Sequence, residues 1–266
     1  MTEVLEIYII FESKKIEFLI IIGGHKMSED LKFLIDVVRS ASLLINDELE
    51  VKAKDDKGDL VTNFDYEIEN YIIERIKGKY PDFSIISEEY NSKNKLTENC
   101  FTIDPIDGTI NFANGIPLWG IQVACIRNFK TCSAVIYLPK LNELYYADEN
   151  GAFMNDKPIL VNQTGVDKGI YTIEGPGKFV LHDKMISTNR NTRDFWSSAV
   201  CFAWVASGKI SAVTFAWDTL WDYVPGQYLV EKAGGCIYNN KKIHIAANSK
   251  EFLNLLKENS IFFEKE

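Results

Sequence analysis

Four stretches of the chain place carboxylates where a backbone element should begin or end. The first is Asp59-Leu-Val-Thr-Asn-Phe-Asp65, with Thr62 and Asp65 three residues apart at a predicted helix start. Taken alone it is a capping box, Asp65 serving the free amides of the first turn. The second is Ser87-Glu88-Glu89-Tyr90, an acidic pair at the end of a predicted strand. By itself such a pair is solvated loop charge. The third, Asp104-Pro-Ile-Asp-Gly-Thr-Ile-Asn-Phe112, combines two turn dipeptides with two carboxylates. Its Gly108-Thr109 opens a short helix whose amides suit a phosphate. The fourth runs from Trp221 to Gly235, and Asp222 falls just ahead of a predicted helix, where N-capping is the simplest role.

The elements that must position these groups follow from periodicity. Ser28 is placed to cap a helix carrying Leu31, Leu34, Ile35, Val38, Ala41 and Ile45. A second helix begins near Thr62, with Phe64, Ile68, Ile72 and Ile76 on one face. Phe83 to Ser87 and Cys100 to Ile103 read as short buried strands. Gly120 to Asn128 and Thr131 to Leu138 read as a hairpin, and Glu143 to Ala147 as a further strand before the turn Glu149-Asn150-Gly151. Residues 165–194 are polar and glycine-rich and read as a connection between two halves, 27–164 and 165–266. Beyond it come a helix over Phe195–Ser207, a strand over Ile210–Phe215, and a helix over Tyr223–Ala233 with Pro225 in its first turn. A last helix is capped by Ser249. Blocks of strand between helices predict an α+β layered architecture.

Composition excludes several classes. The 266 residues are 46% hydrophobic and 25% charged, enough for a sizeable core and unlike a disordered or collagenous chain. The formal charge of −9 argues against a protein that coats nucleic acid. Five cysteines without a C-x-x-C pair, and three scattered histidines, show no zinc spacing and predict reduced thiols in the cytoplasm. The apolar run Ile16–Ile22 is far short of the ~20 residues that span a bilayer, so no membrane partner is expected. Residues 1–26 read as an appendage. Translation from Met27 is the expectation, Gly23-Gly24 lying where a ribosome-binding site would be.

In their order and spacing the four stretches resemble the inositol monophosphatase family of lithium-sensitive, Mg-dependent phosphatases, whose superfamily includes fructose-1,6-bisphosphatases and nucleotide 3′-phosphatases. The similarity runs from about Met27 to Ile261. It implies a layered αβαβα sandwich, with the metal site where two halves meet. It also implies a homodimer, and Mg²⁺-dependent hydrolysis of a small phosphorylated metabolite by a metal-activated water, with Mn²⁺ as a substitute. Residue by residue, Glu88, Asp104 and the carbonyl of Ile106 would hold one ion, and Asp104, Asp107 and Asp222 another. Asp65 and Thr109 would orient the water, with Glu88 among the catalytic groups. Gly108, Thr109, Ser197, Ser198 and Asp222 would contact substrate. If those carboxylates converge, each pair about 4 Å apart repels by roughly 4 kcal/mol at an effective dielectric near 20. Such a cluster needs cations, and an all-oxygen donor set selects Mg²⁺ or Mn²⁺ over zinc.

Two positions depart from the family pattern. Trp196 stands where inositol phosphatases carry glycine, and Phe215 stands where an acidic residue contacts substrate hydroxyls; Asp218 is close by but displaced. Phenylalanine accepts no hydrogen bond, so an aromatic-lined pocket for another polyol, sugar or nucleotide phosphate is an alternative expectation. Others are a fructose-1,6-bisphosphate, NADP or phosphoadenosine nucleotide phosphatase, or a catalytically silent regulatory homologue. Lys52 and Lys54 read either as counter-charges to the cluster or as a solvated loop. Trp204, Trp217 and Trp221 read as packing.

Overall fold

Glu6–Glu12 (β1) and Lys15–Ile21 (β2) pair antiparallel in a sheet of their own at the start of the computed structural model. The structure describes residues 6–12, 15–21, 27–54, 58–175, 179–181 and 191–262. Ser28 caps the next element as predicted: its Oγ accepts the Leu31 amide at 3.1 Å, and α1 runs over Glu29–Ser42. A small hairpin of Val51–Ala53 (β3) and Leu60–Thr62 (β4) leads into α2, Asn63–Lys79, capped by Thr62.

A seven-stranded sheet follows. Its members are Ser84–Ser87 (β5), Cys100–Asp107 (β6), Gly120–Arg127 (β7), Lys130–Leu138 (β8), Glu143–Asp148 (β9), Gly151–Met154 (β10) and Lys157–Pro158 (β11), in the order β11-β10-β9-β8-β7-β6-β5. All neighbours are antiparallel except β5 and β6. Asn128 and Phe129, both with positive φ, form the two-residue turn of the predicted hairpin. A short helix, α3 (Thr109–Ala113), follows β6.

Strand alternation sorts the faces of this sheet. Phe101, Ile103, Val123 and Val135 pack against Leu34 and Val38 of α1 and Phe64, Ile68 and Ile72 of α2. Ala124, Ala134 and Ile136 face the other way, onto α4 (Ser198–Ala206) and α5 (Leu220–Lys232). Gly226 lets these two helices approach: a Cβ there would lie 2.3 Å from Phe202 Cβ. Their far side packs on a five-stranded sheet, in which Tyr171–Glu174 (β12), Thr192–Arg193 (β14), Ala212–Phe215 (β15), Cys236–Asn239 (β16) and His244–Ala247 (β17) take the order β14-β12-β15-β17-β16. Phe179–Leu181 (β13) and Ser260–Phe262 (β18) pair separately. The outer face of the five-stranded sheet is covered by α6 (Lys250–Asn259) through Phe252 and Leu256. The layers are therefore α1/α2, sheet, α4/α5, sheet, α6, the expected αβαβα arrangement.

Four boundaries differ from the sequence reading. The stretch read as a connection contains β12, whose alternating run Tyr-Thr-Ile-Glu is only four residues long and is set in polar, glycine-rich surroundings; residues 176–178 and 182–190 of that stretch lie outside the described residues. Strand β6 continues through Asp107 instead of stopping at Ile103. Helix α4 starts at Ser198, not Phe195, because Trp196 has φ 52° and Ser197 is the cap. Helix α5 starts at Leu220, which puts Asp222 inside its first turn and Pro225 further in than the first turn.

Candidate active site

The site is assembled by a break in strand register. Asp104 and Asp107 are three residues apart, so in a regular strand they would point to opposite faces. Asp104 pairs with Gln122 and Asp107 with Gly120, so the ladder carries an extra residue of β6 between them. Such a bulge re-aims the side chains that follow it. Pro105, which has no amide to donate, sits in the irregular segment. The result turns Asp107 towards the same side as Asp104, between the seven-stranded sheet and α4/α5, and leaves Ile106 in the α1/α2 core.

Helix α5 supplies the third carboxylate. One carboxylate oxygen from each of Asp104, Asp107 and Asp222 lies within 4.8 Å of the others. Asp104 is 1% exposed; Gln122 Nε2 reaches its Oδ2 at 3.5 Å, while its Oδ1 has no hydrogen-bond partner. Asp107 is held at the N-terminus of α4, accepting from the Ser198 and Ala199 amides at 3.1 and 2.8 Å, from Ser198 Oγ at 2.7 Å, and from Ser197 Oγ. Asp222 accepts from Thr219 Oγ1, and its carbonyl accepts from Ser198 Oγ at 2.8 Å.

Burial dominates the electrostatics of this group. It pushes the Asp104 carboxyl well above the usual carboxylate range, with the charges of Glu88, Asp107 and Asp222 adding to the effect. It raises Asp222 to about 7 and Glu88 to about 8, Lys54 opposing the rise in each case. Asp107 is also raised by burial, against the donors of α4. A buried set of carboxylates, one with an unpartnered oxygen and with no nitrogen or sulfur ligand among them, fits a hard divalent cation.

Beside the triangle stands the capping box. Asp65 Oδ2 accepts from the Thr62 amide at 2.7 Å and Thr62 Oγ1 at 2.6 Å, which leaves Oδ1 facing Thr109 Oγ1 at 3.4 Å. The Thr109 hydroxyl also lies 3.0 Å from the carbonyl of Ile106. Burial lifts Asp65 to about 6, with the Thr62 hydrogen bonds pulling it back down. Gly108, at φ 87°, makes the corner between β6 and α3; a Cβ there would lie 3.1 Å from Leu118 O and from Ser197 Cβ.

The other sequence-derived residues divide. Glu88 stands outside the triangle and is paired with Lys54 at 2.7 Å; Lys54 also binds Glu89 at 2.6 Å. Lys54 is thus a counter-charge, whereas Lys52 meets Glu50 at 3.7 Å in solvent. Ser197 and Ser198 are buried and hold Asp107 through their hydroxyls. Phe215 lines no aromatic pocket: it is 3% exposed, packed among Phe202 and Trp217 in the core between the sheets. Trp204 packs on Phe195 and Trp221 on Ile86 and Cys100, as read.

Two positioning carboxylates escaped the sequence reading. Glu69 is fully buried in α2 and accepts from Ser87 Oγ at 2.5 Å and from the Glu89 and Tyr90 amides at 2.8 and 2.7 Å, fixing the turn that carries Glu88. Its signal was available: an acid four residues after Asp65 on the same apolar helix face. Glu174, on β12, accepts from the Phe195 and Trp196 amides at 3.0 and 3.1 Å and from Thr172 Oγ1 at 2.6 Å; burial raises it to about 7.

The chain is similar to known proteins in sequence and in fold. A family model described as the inositol monophosphatase family matches residues 26–254. A Thermotoga maritima fructose-1,6-bisphosphatase/inositol-1-monophosphatase is 32% identical over 204 residues, which cover 73% of this chain and 77% of that protein. Inositol monophosphatase 2 of Saccharomyces cerevisiae is 34% identical over 206 residues, covering 68% and 70%. The solved structure of a Thermotoga maritima IMPase superposes with a TM-score of 0.78 at 28% identity, over 86% of this chain and 96% of that one. With the family match over residues 26–254 and these relatives, the chain belongs to the inositol monophosphatase family.

Proposed function

We propose that the chain hydrolyses a small phosphate monoester, of the inositol monophosphate or sugar phosphate kind, with Mg²⁺ as its cation and Mn²⁺ as a substitute. The observation that carries the reading is the Asp104–Asp107–Asp222 triangle, with its orphaned Asp104 Oδ1, set beside the Asp65–Thr109 pair. Asp104, Asp107 and Asp222, with Glu88 and the carbonyl of Ile106, are the groups that would hold the cations. A divalent cation bound there supplies Lewis acidity, making water a nucleophile near neutral pH and offsetting charge on the phosphoryl group.

The chain's own residues do the rest. Asp65, lifted to about 6, is ionised at neutral pH and close enough to neutrality to accept a proton. Thr109 Oγ1, between Asp65 Oδ1 and the Ile106 carbonyl, passes that proton towards Asp65 and orients the attacking water. The Gly108 and Thr109 amides at the head of α3 are the phosphate contacts. Ser197 and Ser198 act through Asp107, keeping its carboxylate fixed on the site side of the bulge.

The test is a phosphate-release screen with Mg²⁺ over inositol 1-phosphate, hexose phosphates, fructose 1,6-bisphosphate, NADP and phosphoadenosine nucleotides. Mg²⁺-dependent release from a monoester supports the reading, and a strong preference for the bisphosphate would move it to the activity named for the Thermotoga maritima relative. Binding of Mg²⁺ with no release from any ester would favour a silent regulatory homologue. The reading carries a homodimer with it, which light scattering tests. The five free thiols fit a reducing cytoplasm, and no helix among the described residues is long and apolar enough to cross a membrane.

A further inference from the structure

We propose that Trp196 determines specificity, its indole offering an aromatic face at the mouth of the site that selects phosphate monoesters whose leaving group carries a flat aromatic ring. The inference rests on the phosphatase reading. Trp196 immediately precedes Ser197, whose hydroxyl binds Asp107, and its carbonyl would lie 3.2 Å from a Cβ at Gly108. It holds φ 52°, a region where a bulky residue is strained and glycine is the usual occupant. The strain is imposed from two sides. Glu174 takes the Phe195 and Trp196 amides, and Asn111 Nδ2 reaches the carbonyls of Phe195 at 2.7 Å and Trp196 at 3.5 Å.

That framework turns the neighbours inward and leaves the indole outside. The Phe195 ring packs edge-on against Trp204 at 5.1 Å, whereas Trp196 is 52% exposed and, among the described residues, stacks on no other ring. A strained, doubly anchored, solvent-facing aromatic, on the turn whose carbonyl approaches Gly108 and whose next residue holds Asp107, points to a ligand contact. The same edge offers a polyol little. Phe215 is core, indole Nε1 donates only, and both oxygens of Glu174 are already engaged by the loop. A flat ring stacked on Trp196 needs none of those acceptors.

The test compares wild type, Trp196→Gly and Trp196→Phe, each with Mg²⁺. Glycine suits the local φ, so the first variant should fold and melt no lower than wild type. The preference for phenyl phosphate over glycerol 2-phosphate, as a ratio of kcat/KM, should fall about tenfold in Trp196→Gly, mainly through KM, and recover largely in Trp196→Phe. The affinity ratio of phenylphosphonate to methylphosphonate, which are not hydrolysed, should fall by a similar factor. Both ratios staying within about twofold of wild type would overturn the proposal. If wild type cleaves neither ester, the phosphonate ratio alone decides the role of Trp196, while the phosphatase reading stands or falls by the wider phosphate-release screen.

Discussion

Thr62→Val isolates the proton acceptor. The substitution keeps the β-branched shape in a site that is 1% exposed, and removes one of the two donors to Asp65 Oδ2. The Thr62 amide bond at 2.7 Å survives; the hydroxyl bond at 2.6 Å is lost. A hydrogen bond to a charged group contributes about 1.5–3 kcal/mol, and each pKa unit corresponds to about 1.4 kcal/mol. The Asp65 carboxyl, already lifted to about 6 by burial, should therefore rise by about one to two further units. Since the ionised form is the competent one, the acid limb of kcat/KM moves from near pH 6 to about pH 7–8, measured at saturating Mg²⁺ between pH 5 and 9. Loss of the cap costs about 1 kcal/mol, which at this chain length is a fall in Tm of about 2–4 °C. An acid limb that stays put, or moves downward, in a folded variant would refute the assignment of Asp65 as the group that takes the proton.

Three further outcomes follow from the same geometry. Asp104→Asn should lower turnover by at least about a hundredfold and weaken Mg²⁺ binding, yet raise the Tm of metal-free protein, because it removes a buried carboxylate that repels its neighbours; wild-type turnover would remove Asp104 from the site. Metal-free protein in EDTA should lose stability as pH rises. The folded-state pKa values of Glu88 (about 8), Asp222 (about 7) and Asp104 all lie above their unfolded values, so the stability present below about pH 4 is lost on passing through pH 7–8, and Mg²⁺ should restore it. A Tm that climbs from pH 6 to 8.5 in EDTA would contradict this charge pattern. Gly108→Ala and Gly115→Ala share a left-handed φ, at a cost of about 1–2 kcal/mol each, but only the former meets atoms, at 3.1 Å. Gly108→Ala should melt lower than Gly115→Ala, and an equal loss by calorimetry would mean that the corner relaxes.

How much was legible in the sequence depends on which force wrote the signal. The capping box at Thr62 and Asp65, the Ser28 cap and the hairpin turn at Asn128 and Phe129 are local, set by a few residues' own hydrogen bonds and dihedral angles, and they stand where the spacing puts them. The motif Asp104–Phe112 was readable as a site, but not the reason it works. The bulge that brings Asp104 and Asp107 to one side depends on Gln122 and Gly120 across the ladder, and no spacing within one strand reveals a register break with its neighbour. Glu174 was hidden for the same reason: a single acid in a four-residue strand acquires its role only when the sheet delivers it to the Phe195–Trp196 amides.

Phe215 shows the converse case. Judged by its place in the motif it is a missing hydroxyl acceptor, yet in space it is core between the sheets, and the buried acid of that neighbourhood is Glu174, its direct partner on the adjacent parallel strand. The acid there grips backbone instead of facing a ligand, and the backbone it grips is the strained turn of Trp196. A change in what this edge can recognise therefore has to be sought in the pair: Glu174→Gln and Trp196→Gly act on one turn, so their effects on the aromatic-to-polyol preference should be non-additive, the second substitution adding little once the first has released the loop. Fully additive effects would mean that the carboxylate and the indole act apart.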